Sequence, residues 1–147
     1  MVALYPVADP LARFRYARSR QDEPPPPSGF NAKGLVASSL AYFGDEAAME
    51  AASVTRVVAT GEARALPPVL VAQPELDDNV PPALTLQVVD ALIRANKDFD
   101  LLVMPNHNHL SIYRDGYFFR RTFEFFLRHL VGVEPEPGYK LPGLPRD

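Results

Sequence analysis

Val69-Leu70-Val71-Ala72-Gln73-Pro74-Glu75-Leu76-Asp77-Asp78-Asn79-Val80-Pro81 is the stretch that decides the fold of this chain. An unbroken apolar run, 69–72, ends in an acidic turn bounded by prolines. Such a run reads as a strand buried on both faces, the habit of parallel sheets. Further on the pattern returns. Leu101-Leu102-Val103-Met104 is a second apolar run, and it passes into the polar segment Pro105-Asn106-His107-Asn108-His109. Between the two runs, Pro81 or Pro82 opens a helical pattern that continues to Lys97. It places Leu84, Val88, Ala91, Leu92 and Ala95 on one stripe, widened by Leu86, Val89 and Ile93.

Residues 117–130 follow as the clearest helix. Phe119, Phe123, Phe126, Leu127 and Leu130 recur at helical spacing and read as core. Arg120, Arg121, Glu124 and Arg128 lie off that stripe, and the arginines read as a solvated face. Gly132 stops the helix. Strand, helix, strand, helix demands a parallel sheet with helices against it. Two or three strands cannot cover such helices on both faces, and the aromatic one needs a wider sheet. The expectation is therefore a chain that is incomplete or pairs with another.

Upstream, residues 2–7 read as a short strand. Asp9-Pro10 supplies an N-cap and a first-turn proline for a helix over 11–20, with Leu11, Phe14 and Ala17 inward. Its arginines, Arg13, Arg15, Arg18 and Arg20, read as solvated surface. Residues 21–30 hold four consecutive prolines and read as a polyproline-like surface loop, the best internal break. Residues 31–43 and 45–52 are helix-prone, with Asp45 as a cap. Residues 53–65 read as a helical turn leading to a loop that Pro67-Pro68 stops. Residues 1–137 are expected to form one partial domain and 138–147 a flexible tail.

Composition narrows the function. A net charge of −3 gives no basic footprint for nucleic acid. The apolar runs are far shorter than a membrane span, and residues 1–4 lack the basic start and long apolar stretch of a secretory signal. With no cysteine there is no disulfide or thiolate metal site, which suits a cytosol without assigning one. Sixteen prolines argue against a simple helical bundle.

In open parallel sheets, functional groups collect beyond the carboxyl ends of the strands. Asp77 and His109 both lie there. A carboxylate can hold an imidazole in one tautomer and stabilise its protonated form, and the imidazole can then move a proton to and from a reacting group. An acid and then a histidine on successive strands are the last two members of one Ser-Asp-His order. The first member is not found. The serines are at 19, 28, 38, 39, 53 and 111, and none sits in Gly-x-Ser-x-Gly. Asp78 and Asn79 read as braces of the turn. Two other readings stand beside this one. Asp-Asp-Asn is ordinary turn chemistry, with His109 simply exposed. Alternatively, His107 and His109 share a face of an extended segment and could hold a metal with Asp77, although His129 lies too far along to be a third ligand. Neither a metal nor any other cofactor is expected.

At these residues the chain resembles the C-terminal part of α/β-hydrolase catalytic domains. Pro67-Pro68-Val69-Leu70-Val71 through Pro81, Ala95-Asn96-Lys97-Asp98-Phe99-Asp100-Leu101, Pro105 to His109 and Tyr117-Phe118-Phe119-Arg120-Arg121 look like the prolyl oligopeptidase family, and most like its dipeptidyl peptidase IV branch, over 67–137. Tyr5-Pro6-Val7, Asp9 to Ala17 and Ala41 to Met49 look like acetyl esterase/lipase-type hydrolases over 1–66. The resemblance implies an α/β fold of parallel strands and flanking helices, lacking its N-terminal strands and nucleophile elbow. It implies Asp77 as the triad acid and His109 as the base. The chain departs from the pattern at Leu110, where a glycine commonly follows the histidine, and in the loop 24–27, which looks inserted.

The function expected is a C-terminal segment of a serine hydrolase, peptidase or carboxylesterase, acting on a peptide or small ester once an upstream segment completes it. The competing expectation is a non-catalytic remnant that binds a partner. An uncovered sheet edge would favour self-association.

Overall fold

The computed structural model describes residues 2–4, 9–59 and 65–136. Among these, β1 (Val2–Leu4), β2 (Val69–Pro74) and β3 (Phe99–Met104) form one parallel sheet in that spatial order. The helices are α1 (Pro10–Ser19), α2 (Ala32–Phe43), α3 (Glu46–Ala51), α4 (Val54–Ala59), α5 (Pro82–Arg94) and α6 (Gly116–Phe126). The reading as parallel strands with flanking helices holds. Residues 5–7 of the expected first strand and the expected tail 138–147 lie outside the described residues.

β2 is central and buried along its whole length. On one face Val69 and Val71 pack with Val58 of α4 and Val88, Val89 and Leu92 of α5. On the other, Ala72 packs with Met104, Ile112 and Phe118. β2 and β3 run in direct register, from Val69 opposite Phe99 to Pro74 opposite Met104. Their carboxyl ends therefore finish level, and the two loops beyond them start side by side.

β3 departs from the expected fully buried strand. Leu101 and Val103 are exposed, while Met104 is buried. The core under α5 takes in Phe99 at the start of the strand but goes no further along that face. On α5, Thr85 joins Val88, Val89 and Leu92 in the interior, whereas Leu86 and Ile93 are exposed. The helix ends three residues before the expected limit, at Arg94. Asn96 just beyond it takes φ 50°, a left-handed turn that an asparagine tolerates.

α6 reverses its expected faces. Phe118, Glu124 and Phe125 are inward, while Phe119, Phe123, Leu127 and Leu130 are exposed, Phe123 at 64% and Leu130 at 77%. Phe118 packs on Ile112 and Met104 under the sheet, which turns most of the longer stripe outward and leaves Phe126 half-buried. Glu124, off the apolar stripe, is inward as well. It is buried and paired with Arg120 at 2.5 Å and Arg121 at 2.6 Å. The hydrogen bond from Arg120 holds its carboxyl below the usual carboxylate range, against the opposing effect of desolvation. After Phe126 the helix widens into one π turn, Leu127–Val131, closed by Gly132 at φ 74°.

α1, α2 and α3 form a helical unit beside the sheet. Leu11, Phe14 and Met49 make one contact cluster, with Val36 and Phe43 against it. Ala17, Phe30 and Ala32 make another. α1 starts as expected, with Asp9 accepting the Ala12 N–H at 2.9 Å, and Asp45 caps α3 through the Ala48 N–H at 2.8 Å. The proline-rich loop joins α1 to α2 and is exposed over most of residues 22–29. Its end is folded in, with Phe30 buried and stacked on Tyr16 at 5.9 Å between ring centres.

Candidate functional site

The level ends of β2 and β3 fix the two loops that follow. The Glu75 N–H continues the ladder to the Met104 carbonyl at 3.0 Å, and the Leu76 N–H bonds the His107 carbonyl at 2.8 Å. Glu75 Oε2 accepts the Asn106 N–H at 2.9 Å, at a residue with φ 60° that turns the chain after β3. Asp77 and His109 then face each other. His109 Nδ1 lies 2.9 Å from Asp77 Oδ2 and 3.1 Å from Oδ1. The Asp77 side chain is wholly buried and that of His109 is 22% exposed.

The acid turn is built differently from the sequence expectation. Asp77 itself is the brace, its Oδ1 accepting the N–H groups of Asn79 and Val80, both at 2.9 Å. A buried carboxylate needs such partners, because an unpaired buried charge is costly. Asp78 and Asn79, expected to close the turn through their side chains, reach outward instead. Ser28 Oγ donates to Asp78 Oδ2 at 2.6 Å, and Arg13 Nη2 donates to Asn79 Oδ1 at 2.6 Å. Tyr16 donates to the Asp78 carbonyl at 3.1 Å. Behind the turn, the buried Gln73 amide donates to the Val80 carbonyl at 3.1 Å and to Pro74 at 2.8 Å, and its oxygen accepts the Thr85 hydroxyl. Arg13 is thus not the solvated residue expected. Burial lowers its pKa from the ordinary guanidinium value, and nearby Asp77 pulls it back up. Nothing in its local sequence distinguishes it from Arg15 and Arg18, which pair with Glu46 at the surface.

The histidine loop is held locally. Asn108 Oδ1 accepts the N–H groups of Leu110 and Ser111 at 3.1 and 2.9 Å, and Ser111 Oγ accepts the Asn108 N–H at 2.9 Å. Leu110 sits at φ −103°, an ordinary angle for a side-chain-bearing residue, so no glycine is required there. His107 turns away from His109. Its Nδ1 is 3.2 Å from Ser111 Oγ and its Nε2 is 3.2 Å from Asp115, the cap of α6. The metal reading therefore fails on geometry. Among the described residues no three His, Cys, Asp or Glu side chains converge.

A groove of about 320 Å³ opens beside His109, walled by Pro27, Phe30, Asp78, Asn79, Asn108 and Leu110. Ser28 also lines it, but its hydroxyl is given to Asp78.

This arrangement of a central parallel sheet, with an acid and a histidine past consecutive strand ends, belongs to the α/β-hydrolase class. Within that class the sequence pattern of the prolyl oligopeptidase family matches residues 38–132, and the chain belongs to that family. Solved structures share the fold. Dipeptidyl peptidase 4 of Porphyromonas gingivalis is 21% identical, with 87% of this chain matched to 16% of that one at a TM-score of 0.57. The uncomplexed acylaminoacyl peptidase of Pyrococcus horikoshii is 16% identical over 95% of this chain and 21% of its own, at 0.63. A carboxylesterase from Lactobacillus plantarum is 15% identical over 92% of this chain and 46% of its own, at 0.53. The chain thus spans less than half the length of each. A search of curated proteins gives no match. Family and fold together make this a serine hydrolase-like C-terminal segment.

Proposed function

We propose that Asp77 and His109 are the acid and base of a Ser-Asp-His triad whose serine stands on a segment outside these 147 residues. The observation that carries this is the 2.9 Å contact between His109 Nδ1 and the wholly buried carboxylate of Asp77. With Nδ1 engaged, the proton chemistry of the ring passes to Nε2. That nitrogen would take the serine hydroxyl proton as the oxygen attacks an acyl carbon, then give it to the leaving amine or alcohol. Water would enter by the reverse sequence and release the acid. Asp77 keeps the ring in the required tautomer and stabilises its cation. The substrate class is a peptide or a small ester. The exposed stripe of α6 and the π turn after it, Phe119, Phe123, Leu127 and Leu130, supports a further segment, since so large an apolar strip asks for cover.

Two measurements test the proposal. The chain alone should hydrolyse neither p-nitrophenyl esters nor dipeptide anilides, and a fluorophosphonate probe should label none of its serines. Robust labelling of Ser28 or Ser111 would overturn the assignment of the nucleophile to another segment. In a form carrying that segment, Asp77→Asn should lower kcat by about 10⁴-fold while binding persists. Activity within a few-fold of the parent would remove Asp77 from the triad.

A further inference from the structure

We propose that α1 and the end of the proline-rich loop form a brace for the acid turn, with Arg13 and Ser28 as positioning residues that hold the Asp77 carboxylate against His109. The inference rests on the reading of Asp77 and His109 as acid and base. It extends that reading to a part of the chain that touches neither residue's reacting atoms.

The Asp77 carboxylate is oriented by its own turn, because Oδ1 is tied to the N–H groups of Asn79 and Val80. Any drift of that turn is therefore a drift of the carboxylate. Gln73 holds the turn from behind, and the grip on its outer side comes from far away in sequence. Asn79 is gripped twice by one guanidinium, Nη2 to its side-chain oxygen at 2.6 Å and Nε to its carbonyl at 3.4 Å. Asp78 is held through its carbonyl by Tyr16 and through Oδ2 by Ser28. Its other oxygen, Oδ1, is buried and has no partner among the described residues, so Ser28 supplies the side-chain bond that this carboxylate makes.

The brace is itself anchored. Arg20 donates to the Tyr16 hydroxyl at 2.5 Å and pairs with Glu23 at 2.9 Å, and Phe30, two residues past Ser28, is buried on Tyr16. Arg13 can grip at two points because the guanidinium is a planar fork, which a lysine ammonium is not. It also places a positive charge near Asp77. A hydrogen bond weakens steeply as its angle departs from linear. A turn free to tilt would therefore loosen the contact with Nδ1 without unfolding anything.

The test reads that contact directly. In the 147-residue chain, the His109 Nδ1–H should give a downfield proton NMR resonance, assigned by its loss in His109→Gln. Its exchange with solvent should be about tenfold faster in Arg13→Ala and in Ser28→Ala, the weight of one charge-assisted hydrogen bond. Ser28→Thr, which keeps the hydroxyl, should restore the parent rate. Arg15→Ala on the same helix should leave it unmoved. Amide protection along the β2–β3 ladder should stay at the parent level in all of these, which a general loosening of the fold would not allow. Unchanged Nδ1–H exchange in both Arg13→Ala and Ser28→Ala would overturn the brace alone. If Arg13→Ala does not fold, Tyr16→Phe and Ser28→Ala, each removing one hydroxyl, decide by the same criterion. A parent chain with no such resonance would overturn the Asp77–His109 pairing itself, and the brace with it.

Discussion

The acid turn and the histidine loop leave neighbouring strands at the same height, yet they are held in opposite ways. The histidine loop is held by residues beside it: Asn108 and Ser111 close it, His107 bonds Ser111 and the cap of the next helix, and Asn106 and His107 bond Glu75 and Leu76 of the adjoining turn. The acid turn is held from Ser28, Arg13 and Tyr16, residues 50, 66 and 62 positions away. The difference teaches that the two halves of one proton-transfer pair carry different risks. The histidine loop depends on residues beside it, whereas the acid turn depends also on the integrity of a separate helical unit.

That contrast can be broken from the far side. Met49 is fully buried where α3 meets α1. Met49→Ala should cost ~2–5 kcal/mol in urea unfolding. Hydrogen exchange should then rise at Asn79 and Val80 before it rises at Leu110 and Ser111. Equal rises in both loops would mean that the helical unit does not govern the acid turn separately. A smaller effect is expected behind the turn. Thr85→Val removes the donor to the buried Gln73 oxygen and should cost ~1–3 kcal/mol, the penalty of an unsatisfied buried acceptor. No measurable loss would show that Gln73 finds another partner.

On the histidine side, Ser111→Ala should cost only ~1 kcal/mol, because the Asn108 N–H it leaves is exposed and water can replace the hydroxyl. Its exchange effects should stop at residues 107–111, and spread to Asn79 would undo the comparison. The mildest probe is Glu124, beyond both loops. Its carboxyl is held below the usual range by Arg120, so its contribution is fully present above the unfolded-state pKa. It is lost as pH falls through the lowered folded-state value. Urea midpoints of the parent and Glu124→Gln should therefore differ at neutral pH and converge in acid. A difference that persists in acid would assign the effect to packing.

Much of this was legible in the sequence. The two apolar runs, the amphipathic segment between them and the polar residues at their ends were enough for a parallel α/β arrangement with Asp77 and His109 past the strand ends. Periodicity could say that α6 has an apolar stripe but not which side the neighbours lie on. It therefore places Phe123 inside, whereas the structure exposes it. The bonds of Arg13, Tyr16 and Ser28 to the acid turn were invisible because they follow no spacing rule; they exist only once α1 is docked. Thr85 and Gln73 were passed over because hydrophobic patterning has no sign for a polar pair that satisfies itself in the interior. Spacing alone leaves His107 and His109 on a shared face as one alternative; the turn at Asn108 and the bond of His107 to Asp115 set the two rings apart.

The unshifted pairing of β2 with β3 has a consequence for how this chain can tolerate change. Each residue of a parallel strand advances the chain by ~3.3 Å, about the length of the contact that His109 makes with Asp77. Exchanges among branched aliphatic residues within either strand leave the backbone ladder, and so the distance between the two loops, untouched. Loss or gain of a single residue between Pro74 and Asp77, or between Met104 and His109, moves one partner by a full contact length. Divergent copies of this segment should accordingly vary freely in the composition of these strands, while the lengths of those two short spacers stay fixed wherever the pair is in use.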